Sequence, residues 1–176
     1  MIDILVRGAL GGLMQGLMGA GGKGIFNALN KKRNRMIKEL SINFDIQKDL
    51  SLETKWAIIK LLERIAKCDD DGLIHKKEFS VFLIIVQMLG LDKVRQRTIE
   101  AMDKEFDKLS NDELLEYLSN FEWECKEWFI KTIIYTVESD QETIQQKINR
   151  VEPILSNLGI SKEKYNEIKN KISQNS

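Results

Sequence analysis

The feature that most constrains the fold of this chain is an internal repeat, because the sequence superposes on itself without a gap when Asp71 is aligned with Asp140. Each unit contains an apolar stretch with helical spacing, an acidic turn, a second apolar helix and a stop of the form Leu-Gly-apolar. In this internal alignment the paired apolar positions are Leu61 and Ile130, Ile65 and Ile134, Phe79 and Ile148, Phe82 and Val151, Ile85 and Ile154. Two such units predict one all-α bundle with a pseudo-symmetric interior.

Cap and stop residues mark the ends of the predicted helices. Ser110 precedes Glu113 at capping-box spacing, and Gly90 and Gly159 follow apolar helices as C-caps. Few segments alternate apolar and polar residues, so the sequence argues against a β-sheet protein. Pro153 falls inside the second helix of the second unit, where we expect a kink or a helix start.

The N-terminal part differs in composition, since eight of the 11 glycines lie between Gly8 and Gly24. Small residues recur every four positions and would form one stripe on a helix. The stripe consists of Gly8, Gly12, Gly16, Ala20 and Gly24. Stripes of this kind let helices approach closely in lipid or in an oligomer. The basic cluster that follows is suited to anionic lipid; it consists of Lys31, Lys32, Arg33 and Arg35.

We therefore divide the chain into a glycine-zipper segment with a basic flank (1–35), a linker (36–50) and a helical domain (51–176). The uncharged run from Gly8 to Gly22 is shorter than the roughly 20 residues of a spanning helix. Three arrangements stay open for the glycine-zipper segment: association with a membrane, self-association into a homo-oligomer, and packing back onto the domain.

An acidic turn in the first unit has the spacing of a calcium loop, with a glycine at the sharp turn. The candidate ligands are Asp69, Asp71, Glu78 and, from the second unit, Asp140. Two lysines weaken the match, because Lys67 occupies the first ligand position and Lys147 replaces the glutamate of the second unit. Two interpretations follow: a weak divalent-cation site, or a solvated turn in which Asp71 caps the next helix.

The residues from Cys68 to Glu78, with the pattern Asp-Gly-x-apolar-x-x-x-Glu, resemble the TerB-like domain of tellurite-resistance proteins. The first unit closes on Leu89-Gly90-Leu91 and the second on Leu158-Gly159-Ile160-Ser161, and the match covers roughly residues 50–172. The resemblance implies an all-helical domain linked to membrane stress response, phage resistance and metal sensing, with Asp71, Glu78 and Asp140 as acidic site residues. The order of glycine-rich segment, basic residues and helical domain is also similar to the membrane-anchored DnaJ-like cochaperone. No His-Pro-Asp motif is present, so cochaperone activity is not implied.

The residue inventory argues against an enzyme and against a nucleic-acid partner. His75 is the only histidine, which excludes a histidine metal cluster or a Ser-His-Asp triad, and no acid–base pair has a useful spacing. Lys plus Arg and Asp plus Glu number 27 each, so no net charge attracts nucleic acid.

The sequence therefore predicts a non-enzymatic TerB-like binding or scaffold module in a membrane-linked bacterial stress or defence system. We expect it in the bacterial cytoplasm at the inner membrane, with residues 1–35 contacting the membrane or a partner protein. The alternatives are a divalent-cation sensor acting through the acidic turn 69–78 and an oligomeric effector that perturbs membranes through the glycine zipper. A divalent cation is the one cofactor for which the sequence offers ligands.

Overall fold

Helices account for nearly all of the chain that the computed structural model describes, namely residues 34–40, 45–67, 76–139 and 143–174. In chain order they are α1 (residues 34–40), α2 (Ile46–Asp49), α3 (Leu52–Ala66), α4 (Lys76–Met88), α5 (Gln96–Phe106), α6 (Asn111–Glu116), α7 (Trp123–Glu138), α8 (Ile144–Asn157) and α9 (Lys162–Gln174). A 3-10 turn, Leu91–Lys93, links α4 to α5. These ranges contain no strand, so the all-α prediction is confirmed for them.

Helices α3 and α7 form the centre of the bundle. Helix α3 contacts α4, α5, α6, α7 and α8, while α7 also contacts α4, α8 and α9. Buried residues occupy almost the whole circumference of both helices, as expected for helices surrounded by others. The largest buried side chains include Trp56 and Ile59 on α3 and Trp128 and Phe129 on α7. Full burial of each such apolar side chain contributes about 1.5–3 kcal/mol.

Capping residues hold the helix ends, and they include the predicted Ser110, Gly90 and Gly159. The Ser51 hydroxyl accepts a hydrogen bond from the Thr54 backbone N–H at 3.1 Å at the start of α3. Ser110 and Glu113 form a complete capping box at the start of α6. Gly90, after α4, and Gly159, after α8, both have left-handed backbones, with φ of 71° and 70°. Local sequence signals therefore fix where these helices begin and end.

The paired apolar positions of the two units have the same burial. The internal alignment places the equivalent of α4 at residues 145–157. This range agrees closely with the observed bounds of α8, Ile144–Asn157. Phe82 and Val151 are both buried, as are Ile85 and Ile154. The other apolar pairs also agree: Leu61 with Ile130, Ile65 with Ile134, Leu89 with Leu158 and Leu91 with Ile160 are buried, and Phe79 and Ile148 are half-buried.

The sequence predicts a linker over residues 36–50, but the described part of this range lies mainly in α1 and α2. Residues 34–40 form α1, in which Met36 and Leu40 are 0% exposed, and Ile46 of α2 also lies in the core. These two helices are so short that their few apolar residues show no clear periodicity in the sequence. Helix α1 is therefore an integral part of the bundle.

Pro153 does not mark a helix start, because α8 begins at Ile144 and continues to Asn157. The proline removes the donor that would bond the carbonyl of Asn149, four residues earlier. Both residues are exposed, so water can satisfy that carbonyl and the helix tolerates the proline.

The stop glycines provide a matched test of the two units. Alanine at either glycine costs about 1 kcal/mol because of the left-handed backbone. At Gly159 no described atom lies within 4 Å of an added Cβ, whereas at Gly90 it would lie 3.3 Å from Gln47. The Gln47 side chain is held by hydrogen bonds to the Gln87 carbonyl and to Lys93. We expect G90A to lower the free energy of unfolding more than G159A, measured by urea denaturation; equal losses would contradict this packing.

Candidate functional site

Most of the predicted site residues lie outside the described part of the chain. They are Gly8, Gly12, Gly16, Ala20, Gly24, Lys31, Lys32, Arg33, Asp69, Asp71 and Asp140, and their roles stay predictions. Within the described ranges, no helix combines the length and apolar character needed to cross a membrane. Two predicted residues are described, Glu78 in α4 and Arg35 in α1.

Glu78 forms a fully buried ion pair with Lys147 of α8. Both side chains are 0% exposed, and the Glu78 carboxylate contacts the Lys147 ammonium. The two residues are equivalent in the internal alignment, so the glutamate of one unit is neutralised by the lysine that replaces its counterpart in the other. A cation bound by Glu78 would have to compete with this ammonium for the carboxylate.

Arg35 connects α1 to α9 and bonds to Glu39, which contacts α7. Its Nε donates to Glu39 Oε1 at 3.0 Å, and its Nη2 donates to the carbonyl of Ile172 in α9 at 2.8 Å. Glu39 also accepts a hydrogen bond from the Tyr135 hydroxyl of α7 at 2.6 Å. Burial and the Glu39 carboxylate raise the pKa of Tyr135, so the phenol keeps the proton that it donates. The Arg35 guanidinium thus has a structural role besides the lipid contact predicted for it.

Lys60 of α3 lies at the centre of an acidic cluster that no sequence motif indicated. Lys60 is 1% exposed. Its ammonium donates to Asp103 and Asp107 at 2.5 Å each and to Glu63 at 3.2 Å. The carboxylate oxygens lie within 4.8 Å of one another, a spacing that can hold a metal ion. Here the ammonium takes that position.

The electrostatics of this cluster favour the charged forms of Lys60 and Asp103. Burial alone would lower the pKa of Lys60, but the hydrogen bonds to Asp103 and Asp107 outweigh it and the pKa is raised. Burial would raise the pKa of Asp103, yet its bond to Lys60 lowers it. A lysine inside the apolar run of α3 was the available signal. Its partners Asp103 and Asp107 stand 43 and 47 residues away in sequence, beyond the reach of local patterns.

A groove of about 480 Å³ lies between α8 and α9. Apolar side chains, including Ile148 and Tyr165, share its lining with charged residues. Glu152 and Lys162, also in the lining, form an ion pair at 2.9 Å. An apolar surface with polar groups around it suits an apolar side chain of a partner. The apolar residues of the groove have the helical spacing of core positions, so the sequence did not reveal it.

Replacing Lys60 by methionine should destabilise the protein by about 3 kcal/mol at pH 7, because three carboxylates then face one another. In the native protein the pKa of Asp103 is lowered. The stability that its charged carboxylate contributes is therefore lost as pH falls below the ordinary pKa of 3.8 and through the native pKa. In K60M, repulsion raises the pKa values of the carboxyl groups instead. The difference in unfolding free energy should therefore shrink on acidification, as measured by urea denaturation from pH 7 to pH 3.

Lys67→Met is the matched control for this measurement, since Lys67 contacts Glu63 but is 22% exposed. It should cost about 1 kcal/mol or less, in line with partly exposed ion pairs. A K60M loss as small as that of K67M, or one that does not depend on pH, would contradict the structural role of Lys60.

A double-mutant cycle tests the buried pair of Glu78 and Lys147. Either E78M or K147M alone should cost about 3–5 kcal/mol, because each leaves one buried charge without its partner. The double variant should lie much closer to wild type, since methionines can fill the same space. The exposed pair of Glu152 and Lys162 is the control, with an expected coupling below about 1 kcal/mol. Additive losses at Glu78 and Lys147 would rule out the ion pair.

The chain matches no protein-family model, no curated protein and no solved structure at a significant level. The resemblance to TerB-like domains accordingly depends on the motif of the two units and stays a prediction. The functional proposal rests on the residues and contacts of this chain.

Proposed function

We propose that this protein is a non-enzymatic TerB-like binding or scaffold module, held by residues 1–35 at the inner membrane in a bacterial stress or defence system. The observation that carries the proposal is the packing of α1. Met36 and Leu40 are 0% exposed, and the first described residue of α1, Asn34, directly follows the basic residues Lys31–Arg33. The bundle is thus joined to the glycine-zipper segment through a packed helix.

The equivalence of the two units supports the TerB-like interpretation. Paired apolar positions have matching burial, and Gly90 and Gly159 have matching backbone angles. Glu78 and Lys147, which are also equivalent, contact each other. We therefore propose that the bundle is a duplicated helical unit whose two copies meet through complementary charges.

The state of the buried reactive groups supports a binding role over catalysis. Lys60 and the pair of Glu78 and Lys147 are held in ion pairs that stabilise the bundle. Burial, together with Glu122 and Glu124, raises the pKa of the Cys125 thiol. A protonated thiol is a weak nucleophile. Because Lys147 already neutralises Glu78, we place the cation-sensor alternative behind the membrane module.

Deleting residues 1–30 should move the protein from the membrane fraction to the soluble fraction. The truncated chain keeps α1 and the whole described bundle, so we expect unchanged helical circular dichroism per bundle residue and an unchanged melting temperature. Fractionation of cells that express each form, followed by immunoblotting, measures the shift. A full-length chain that is entirely soluble and monomeric would contradict the proposal.

Two double variants of the full chain separate zipper packing from membrane attachment. G12L/G16L blocks the small-residue stripe, whereas G11L/G19L adds the same apolar bulk off the stripe. If close helix packing drives assembly, only the stripe variant should lose cross-linked oligomers, while both remain in the membrane fraction. Equal cross-linking of the two variants would rule out a zipper interface.

A further inference from the structure

We infer that the bundle meets the membrane through one defined face, formed by α1 and the last turn of α9, and that this face binds anionic lipid headgroups with Lys38 and Lys171. The inference rests on the proposed membrane location of residues 1–35. It adds the orientation of the bundle and names lipid-binding residues outside the N-terminal segment.

The length of chain between the basic cluster and α1 sets how far the bundle can stand from the lipid. From Lys31 to residue 34 the chain spans three residues, at most about 11 Å between Cα atoms. The potential of an anionic membrane surface decays over a Debye length, about 8 Å at physiological salt. With Lys31 at the headgroups, α1 lies within or just beyond this distance, and its packing in the core brings the bundle with it.

The contacts of α1 decide which part of the bundle is brought there. Arg35 donates to the carbonyl of Ile172, in the last turn of α9. Glu39 accepts from Tyr135, near the C-terminal end of α7. Trp123 begins α7 three helical turns before Tyr135, so the other end of that helix lies well away along the helix axis. The bundle therefore has a near end and a far end relative to α1.

Exposed basic side chains lie at the near end. Lys38 of α1 is exposed and makes no ion pair with the described residues. Lys171 is 66% exposed and pairs with Glu167 at 2.7 Å. Its neighbour Lys169 pairs with Glu138 at 3.4 Å. Within the described ranges Lys38 is thus a cation open to a headgroup, and Lys171 can contact one from a solvated ion pair.

The orientation is tested with the full chain, labelled with a fluorophore at one engineered cysteine after C68A and C125A. Ser173→Cys lies next to Ile172 at the near end, and Ser119→Cys precedes α7 at the far end. The two serines are matched, since each is exposed and donates to a backbone carbonyl three or four residues earlier, that of Lys169 for Ser173 and that of Glu116 for Ser119. The vesicles contain phosphatidylcholine with a minor fraction of phosphatidylserine and carry a headgroup quencher.

Quenching at position 173 should be at least about threefold stronger than at position 119. Position 173 lies at the end that faces the headgroups, whereas position 119 lies at the far end, about the length of α7 away. Membrane-bound protein with equal quenching at both sites, or stronger quenching at 119, would overturn the orientation and leave the proposed membrane location intact. Failure of the full chain to co-sediment with the vesicles would overturn the proposed location and this inference together.

Charge reversal on α9 tests the lipid-binding residues. Lys171→Glu should weaken binding to the anionic vesicles about tenfold, and adding Lys38→Glu should weaken it further. Lys162→Glu is the matched control, because Lys162 is 71% exposed, pairs with one glutamate at 2.9 Å and lies at the opposite end of the same helix. We expect the control to change affinity less than twofold. Equal effects of K171E and K162E, or no effect of either, would overturn the assignment of this face.

Discussion

Helices α3 and α7 are buried on nearly every side, and this requirement determines the arrangement of the other helices. Side chains that are buried around most of a helix must be covered by neighbours, and α4, α5, α6 and α8 all contact α3. The polar groups on these two helices are satisfied in different ways: Thr132 and Thr136 of α7 donate to carbonyls of their own helix, whereas Lys60 of α3 donates to Asp103 and Asp107. The indole N–H groups of Trp56 and Trp128 have no hydrogen-bond partner among the described residues. Each such group costs about 1–3 kcal/mol, which the apolar burial of the large rings offsets.

The buried charges follow one principle, that the protein supplies its own cation. At Lys60, three carboxylates that would otherwise repel one another surround an ammonium. At Glu78, the ammonium comes from Lys147, the equivalent position of the other unit. Two glutamates at these equivalent buried positions would require a metal ion or protonation to coexist. A lysine at one of them removes that need, so the second unit's departure from the acidic pattern becomes a contact between the units.

The sequence is informative wherever a signal is local. Ser110 and Glu113 predicted their capping box, and Gly90 and Gly159 predicted the helix stops, because caps involve residues only a few positions apart. Contacts between distant segments were not predictable in this way. In the sequence Lys147 is a defect in a cation site, and only the packing of the folded chain reveals it as a partner of Glu78.

Helix α1 shows why a short element can decide the mechanical behaviour of a chain. A flexible linker after residue 35 would have let the bundle move independently of whatever residues 1–33 contact. Instead, Met36 and Leu40 lie in the core, and Arg35 and Glu39 reach α9 and α7 through hydrogen bonds. Releasing α1 would expose two fully buried apolar side chains and leave Tyr135 without its acceptor. Movement of α1 is therefore coupled to the bundle, and a change in its position would reach α7 and α9 directly through these contacts.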